Sequence, residues 1–240
     1  MKILQDIITS AKKEVKLLAV LIDPDKINPE GISGFMQKLN NSIATHIFVG
    51  GSTVEEHATE KLVIELKKHT NLPIVLFPGD VSQITDYANA ILFLSLLSGR
   101  NPEYLIGKHI ASVSKLKATN LDVIPTGYLL IENGKETAVQ RVTQTQPMPI
   151  NNVQAIVDTA KAGELLGMQL IYLEAGSGAE NAIPNTIIKA VKNELQIPLI
   201  VGGGIRSKKQ LEATYLAGAD LVVIGTAFEE EETFFNEIKK

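Results

Sequence analysis

Short apolar runs alternate with longer amphipathic segments along this chain of 240 residues. The runs lack the polar alternation of half-exposed strands, so we interpret them as strands buried on both faces. Most runs end close to a glycine, an aspartate or a proline, and a helical pattern then follows. The predicted strands are residues 17–22, 46–49, 73–77, 90–96, 123–131, 170–174, 199–201 and 220–224.

The segments between these strands predict the helices. They cover residues 3–13, 31–40, 54–69, 101–116, 152–166 and 184–195, with two more starting at Ser207 and near Phe228. Residues 81–89 are too few for a full helix, so the helix after the third strand is expected to be reduced or missing. Residues 135–151 show no period and predict a long loop, where function usually resides.

Strand–helix units that follow one another without a linker favour one α/β domain over residues 1–240. The predicted fold is a modified (β/α)8 barrel, and an open, doubly wound sheet is the alternative.

Composition narrows the classes of function. The formal net charge of −4 and the lack of a basic cluster argue against a nucleic-acid partner. The absence of cysteine excludes disulfides, thiolate metal sites and cysteine catalysis, and it fits a reducing cytoplasm. Residues 1–15 do not resemble a signal peptide, and the longest apolar run, 90–97, is too short to cross a bilayer. We therefore expect a soluble, cytoplasmic protein.

Three consecutive glycines, Gly202 to Gly204, follow the seventh predicted strand. Without Cβ atoms the backbone can adopt positive φ there, and an anion can approach the N–H groups. Ser207 is a good N-cap for the next helix, whose N-terminal partial charge would point toward this loop. The eighth strand ends at Gly225-Thr226, and barrels commonly bind phosphate at these two loops. We predict a phosphate ligand; a tight turn without a ligand is the alternative.

Polar side chains follow other strands and would share the same face of a barrel. Asp23 and Asp25 follow the first strand, and Ser52 and Thr53 follow the second. Carboxylate and hydroxyl oxygens suit Mg²⁺, although Asp-Pro-Asp alone is more typical of a plain turn.

Two polar side chains lie on one side of the sixth strand. Tyr172 and Glu174 share that side, with Leu173 on the other. Glu174 is a candidate general base or, alternatively, a salt-bridged carboxylate at the end of the strand. The four histidines, in contrast, share no strand-end placement and predict surface or packing roles.

Five motifs, in order over nearly the whole chain, carry a resemblance to a known family. They are Leu-Ile-Asp-Pro-Asp-Lys at 21–26, Val-Gly-Gly-Ser at 49–52, Tyr-Leu-Glu-Ala-Gly-Ser-Gly at 172–178, Val-Gly-Gly-Gly-Ile-Arg at 201–206 and Ile-Gly-Thr at 224–226. Together they resemble the geranylgeranylglyceryl phosphate synthase family, which includes the heptaprenylglyceryl phosphate synthases. The chain length resembles that of the longer of its two groups.

The resemblance implies a barrel that has lost one helix and a Mg²⁺-dependent prenyltransferase, a phosphoglycerol geranylgeranyltransferase. Such an enzyme joins the 3-hydroxyl of sn-glycerol 1-phosphate to C1 of a polyprenyl diphosphate, which forms the first ether bond of an ether lipid. Metal positions are implied at Asp23 and Ser52, with Asp25 aligning less securely. Glycerol phosphate positions are implied at Tyr172, Leu173, Glu174, Ala175, Gly176, Ser177, Gly178, Gly203, Gly204, Gly225 and Thr226. A homodimer or hexamer is also implied, with at most transient membrane contact through the prenyl substrate.

Two catalytic roles are consistent with this chemistry: Glu174 deprotonating the attacking hydroxyl, and Tyr172 stabilising a cation-like allylic carbon. The prenyl chain needs an apolar groove, for which Phe77, Phe93 and Leu96 are candidates, although each is also a plausible core residue. The alternatives are a prenyl diphosphate of another length, a sugar-phosphate isomerase and a non-catalytic phosphate-binding barrel.

Overall fold

Eight parallel strands close into a barrel in chain order, with β8 paired to β1. The computed structural model describes residues 2–225, 228 and 234–240. The strands are β1 (Leu17–Ile22), β2 (His46–Val49), β3 (Ile74–Leu76), β4 (Ala90–Leu96), β5 (Asp122–Leu130), β6 (Leu170–Glu174), β7 (Leu199–Gly202) and β8 (Leu221–Ile224). The predicted (β/α)8 barrel is confirmed, and the open sheet is excluded because the strands form a closed ring.

Helices surround this barrel. Those described are α1 (Lys2–Lys12), α2 (Ile32–Asn40), α3 (Ala58–Lys67), α4 (Lys108–Leu116), α5 (Ala138–Thr143), α6 (Val153–Leu165), α7 (Asn185–Glu194), α8 (Lys208–Leu216) and α9 (Phe234–Glu237). A single 3₁₀ turn, Val81–Gln83, connects β3 to β4, which confirms the missing helix. None of the described helices has the length and the apolar character needed to span a bilayer.

Three helical segments differ from the sequence prediction. The loop predicted over 135–151 contains α5, which begins with a capping box between Thr137 and Gln140. Six residues are too few to show a helical period, so the prediction of irregular structure was wrong there. The helix predicted from residue 101 begins with a π-helical turn, Glu103–Gly107, before α4. The helix predicted from residue 54 begins only at Ala58, after His57 with a φ of 65°.

Side chains that alternate along the strands build two apolar layers. In β6, Tyr172 packs inside the barrel with Phe48 and Ile200, whereas Leu173 packs between the barrel and the helices. Helix α1 belongs to the inner layer through Leu4 and closes the end of the barrel where the strands begin. The carboxyl ends of the strands are therefore left to form the site.

Candidate active site

The loops that follow the strands surround a cavity of about 510 Å³. Most of the residues predicted for the site line it: Asp23, Ser52, Tyr172, Glu174, Gly176, Ser177, Gly178, Gly203, Gly204 and Gly225. These residues come from five loops and from the end of β6, so the barrel topology brings together groups that are far apart in sequence. Thr226 lies outside the described residues.

Two residues predicted to contact glycerol phosphate have side chains that face elsewhere. Leu173 and Ala175 pack in the layer between the barrel and the helices. This follows from strand alternation, because Tyr172 and Glu174 take the inward positions of β6. Any contact between Leu173 or Ala175 and a ligand in this cavity is therefore a backbone contact.

The triple-glycine segment serves two different purposes. Gly203 and Gly204 have φ values of 84° and 73°, a conformation that exposes consecutive N–H groups to an anion. Ser207 caps α8 by accepting a hydrogen bond from the Gln210 amide, so the start of that helix follows the loop. Gly202 instead ends β7 without positive φ, and a Cβ there would lie 2.5 Å from the Tyr172 hydroxyl oxygen.

Glu174 is a buried carboxylate at the base of the cavity. Its Oε1 accepts a hydrogen bond of 2.6 Å from the Gly176 amide. Burial raises the pKa of Glu174, and the adjacent Tyr172 side chain and the Gly176 amide offset this only in part. A carboxylate with a raised pKa is a stronger base than an exposed one, which suits proton transfer near neutral pH.

Tyr172 presents both an aromatic face and an unsatisfied polar atom. Its ring stacks on Phe77 at 5.4 Å and meets Tyr128 edge-on at 5.4 Å. Burial, with Glu174 beside it, raises the pKa of Tyr172 well above its ordinary value, so the hydroxyl is neutral. This hydroxyl is buried beside the Glu174 carboxylate, whose pKa it lowers, but it makes no hydrogen bond of good geometry with the described residues. Because buried polar atoms are nearly always paired, a ligand is a natural partner for it.

Asp23 and Ser52 both line the cavity, in the loops that follow the paired strands β1 and β2. The Asp23 carboxylate accepts a hydrogen bond from the Asp25 amide at 3.1 Å and pairs with Lys26 at 3.2 Å. It lies against Gly51, where a Cβ would be 3.1 Å from the carboxylate. Asp25 accepts hydrogen bonds from the Glu55 amide on both of its oxygens, so it connects two loops.

This part of the cavity offers few protein ligands for a metal ion. Within residues 2–225, 228 and 234–240, no three His, Asp or Glu side chains are grouped to hold an ion. One carboxylate and one hydroxyl nevertheless fit Mg²⁺, which keeps several waters and takes the rest of its ligands from substrate phosphates.

A second, apolar cavity of about 130 Å³ continues from the first. Gly51, Ser52, Phe77, Tyr128 and Val139 line both cavities. All three groove candidates, Phe77, Phe93 and Leu96, line the apolar cavity, and we call this space the groove.

The groove extends to the outer side of β4, where Phe93 packs edge-on against His109 of α4 at 4.2 Å. The polar cavity and the smaller, hydrocarbon-lined groove thus share one wall.

Comparison with known proteins identifies the family. A model of the PcrB family matches residues 10–240. The chain belongs to the PcrB family. The geranylgeranylglyceryl phosphate synthase of Flavobacterium johnsoniae is 54% identical over 232 residues, covering 97% of this chain and 96% of the relative. That of Zunongwangia profunda is 55% identical over 231 residues, covering 96% and 98%.

A solved structure agrees with these relatives. It is (S)-3-O-geranylgeranylglyceryl phosphate synthase from Thermoplasma acidophilum in complex with sn-glycerol-1-phosphate. It superposes with a TM-score of 0.92 at 31% identity, covering 99% of this chain and 95% of that one. The resemblance to the geranylgeranylglyceryl phosphate synthase family is thereby confirmed.

The site of this PcrB-family chain also contains four cationic side chains that were not among the predicted site residues. Lys26, Lys135, Arg141 and Arg206 all line the polar cavity. Lys26 and Arg206 belong to two of the motifs that carry the family resemblance, so their sequence positions could have indicated a role in the site. Lys135 lies just before α5 and Arg141 lies within it, in the segment predicted as a loop, where no motif marked either residue.

The histidines mostly fit the prediction of packing roles. Burial lowers the pKa of His46 to about 4, so this side chain is a neutral core residue. His109 also packs, edge-on against Phe93, and in addition it lines the groove with its Nε2 3.3 Å from the Ser95 hydroxyl oxygen.

Proposed function

We propose that this chain is a prenyltransferase that joins the 3-hydroxyl of sn-glycerol 1-phosphate to C1 of geranylgeranyl diphosphate. This proposal rests mainly on one observation: at the mouth of the barrel, the polar cavity and the apolar groove share a wall. The polar cavity suits a small phosphorylated alcohol, and the groove suits a hydrocarbon chain. Bond formation would then take place where Ser52, Phe77 and Tyr128 line both spaces. The names of the relatives support this assignment.

Glycerol phosphate would bind with its phosphate at the glycine loops and its hydroxyl groups near Glu174. The amides of Gly203 and Gly204, and that of Ser177, would hold the phosphate, whereas the Gly176 amide is already hydrogen-bonded to Glu174. Glu174 would accept the proton of the 3-hydroxyl as its oxygen attacks C1. The C1–oxygen bond to diphosphate breaks in the same reaction, and diphosphate leaves with the bonding electrons.

The diphosphate would lie toward Asp23 and Ser52, which would hold Mg²⁺. When bound, this ion supplies neutralisation of the charge that builds up on the leaving diphosphate. Tyr172 and Phe77 would face the allylic carbon with their stacked rings, and aromatic faces stabilise cationic character. The buried walls of the groove would exclude water from this carbon.

The cellular location and the oligomeric state of the protein are also proposals. A cytoplasmic location fits the absence of cysteine, and a dimeric or hexameric assembly stays a prediction. Size-exclusion chromatography with light scattering measures the assembly.

The decisive experiment offers labelled glycerol 1-phosphate and a mixture of prenyl diphosphates, with and without EDTA. Mass spectrometry of the product identifies both the reaction and the chain length. We expect a geranylgeranyl ether that EDTA abolishes. A product from another prenyl diphosphate would correct the chain length alone, and no ether from any of them would refute the proposal. An isomerase would not need the groove, which is why this alternative is not favoured.

A further inference from the structure

Two lysines from different loops converge on the loop between β6 and α7, residues 175–184. Lys26, in the loop after β1, places its Nζ 3.5 Å from the Ser177 hydroxyl oxygen. Lys135, in the loop after β5, places its Nζ 3.4 Å from where a Cβ at Gly178 would lie. Both side chains line the polar cavity. Two ammonium groups therefore lie next to the glycine-rich part of this loop.

The charge of Lys135 is not neutralised within the described part of the chain, where it takes part in no ion pair. Its neighbour in sequence, Glu136, pairs instead with Arg141 at 3.4 Å. The charge of Lys26 is shared, because its Nζ is 3.2 Å from the Asp23 carboxylate. One cation thus faces the β6–α7 loop alone, and the other faces both this loop and the Asp23 side of the cavity.

We propose that Lys26 and Lys135 form a clamp that holds the phosphate of glycerol phosphate against the β6–α7 loop. This inference rests on the proposed function and names binding residues for the same site. Backbone amides offer only partial charges, whereas a phosphate monoester is close to a dianion at neutral pH. Two ammonium groups, each a compact point charge, match that charge.

The two lysines are expected to differ in effect. Lys135 Nζ lies next to Gly178, and no ion pair connects Lys135 to the Asp23 side within the described residues, so its loss should weaken the binding of glycerol phosphate alone. Lys26 contacts both Ser177 and Asp23, so its loss should weaken the binding of both glycerol phosphate and the prenyl diphosphate. The segment before α5 thereby becomes part of the substrate site.

The test compares Lys135→Met and Lys26→Met with Lys189→Met, which removes an exposed lysine from α7 that lines neither cavity. For Lys135→Met we expect a KM for glycerol 1-phosphate about tenfold higher, as for one charge-assisted contact, and an unchanged KM for geranylgeranyl diphosphate. Lys135→Arg should retain most of the affinity, and Lys26→Met should raise both KM values. Lys189→Met should behave as the wild type.

A second readout does not depend on turnover. Titration of the folded protein with inorganic phosphate, without Mg²⁺, should show binding about tenfold weaker in Lys135→Met than in the wild type. If the wild type forms the ether and both readouts are unchanged in Lys135→Met, the clamp is refuted while the function stands. If the wild type forms no ether, the function fails, and the phosphate titration still decides whether the lysines bind phosphate. Circular dichroism confirms that each variant is folded.

Discussion

Replacing Gly202 by alanine would add one methyl group at a crowded point between β6 and β7. The new Cβ would lie 2.5 Å from the Tyr172 hydroxyl oxygen and 2.7 Å from Oε2 of Glu174, well inside the 3.4 Å at which ordinary contact begins. The Tyr172 ring cannot move freely, because it stacks on Phe77 and meets Tyr128 edge-on. The backbone is held by the pairing of Gly202 with Glu174 on one side and Val223 on the other.

The magnitude follows from two opposing effects. Overpacking a tight interior costs about 1–3 kcal/mol. Replacing glycine also restricts the unfolded chain, which stabilises the fold by about 0.4–1 kcal/mol. We therefore expect Gly202→Ala to destabilise the fold by roughly 1–2 kcal/mol. Displacement of Tyr172 and Glu174 should lower kcat as well.

The free energies of unfolding of Gly202→Ala and Gly34→Ala, measured with urea, separate the effect of crowding at Gly202 from the general effect of replacing glycine by alanine. Gly34 lies in α2, and nothing lies within 4 Å of a Cβ there, so alanine should stabilise this helix by about 0.5–1 kcal/mol. The two glycine-to-alanine variants should therefore change stability in opposite directions. Equal stability of the two variants, with unaltered kcat in Gly202→Ala, would show that the site is not packed as described.

Four further predictions concern the residues of the site. Glu174→Gln should lower kcat by about 10²–10⁴-fold, the usual contribution of a general base, while the variant stays folded. Because burial raises the folded-state pKa of Glu174 above its ordinary 4.5, the stability that this group contributes is present below that pH and is lost as the pH rises through the folded pKa. Glu174→Gln should therefore gain stability over the wild type as the pH rises toward 7, and denaturation at several pH values checks this sign. Asp23→Asn should require more Mg²⁺ for half-maximal rate, and an unchanged metal titration curve would contradict the proposed metal position. Val142→Trp, on the groove wall, should raise the KM for the prenyl diphosphate but not for glycerol 1-phosphate, whereas Val15→Trp, outside both cavities, should change neither.

The barrel could be predicted from the sequence because buried parallel strands appear as continuous apolar runs. The predicted boundaries of β4 and β6 match the structure, and each run begins directly after a polar residue, Asn89 or Gln169. Helix α5 could not be predicted in the same way, because its start depends on the local capping box of Thr137 and Gln140. A helix as short as α5 is too short to show a helical period of apolar residues in the sequence.

The residues of the site were predictable where a strand end fixes their direction. Alternation in β6 places Glu174 inward whatever the loops do. Lys135 was not predictable, because its position depends on the path of a loop that is tied down elsewhere. Asn133 donates a hydrogen bond to the Ala175 carbonyl, and the Glu132 amide donates to the Met148 carbonyl. These long-range contacts bring Lys135 next to Gly178, and no local pattern encodes them.

The irregular β3–β4 connection and the groove have a common physical origin. In a regular barrel a helix would cover the outward face of β4, where Ile91 and Phe93 point. Here the connection is a single 3₁₀ turn capped by Asp80, so Phe93 on this face is only partly covered, by His109 of α4, and becomes a wall of the groove. Lys108 of α4 pairs with Asp80 and holds the turn beside the opening. Loss of a helix would usually expose apolar surface to water, which is unfavourable. The reduced connection is explained if the hydrocarbon chain of the substrate covers this surface in place of the helix.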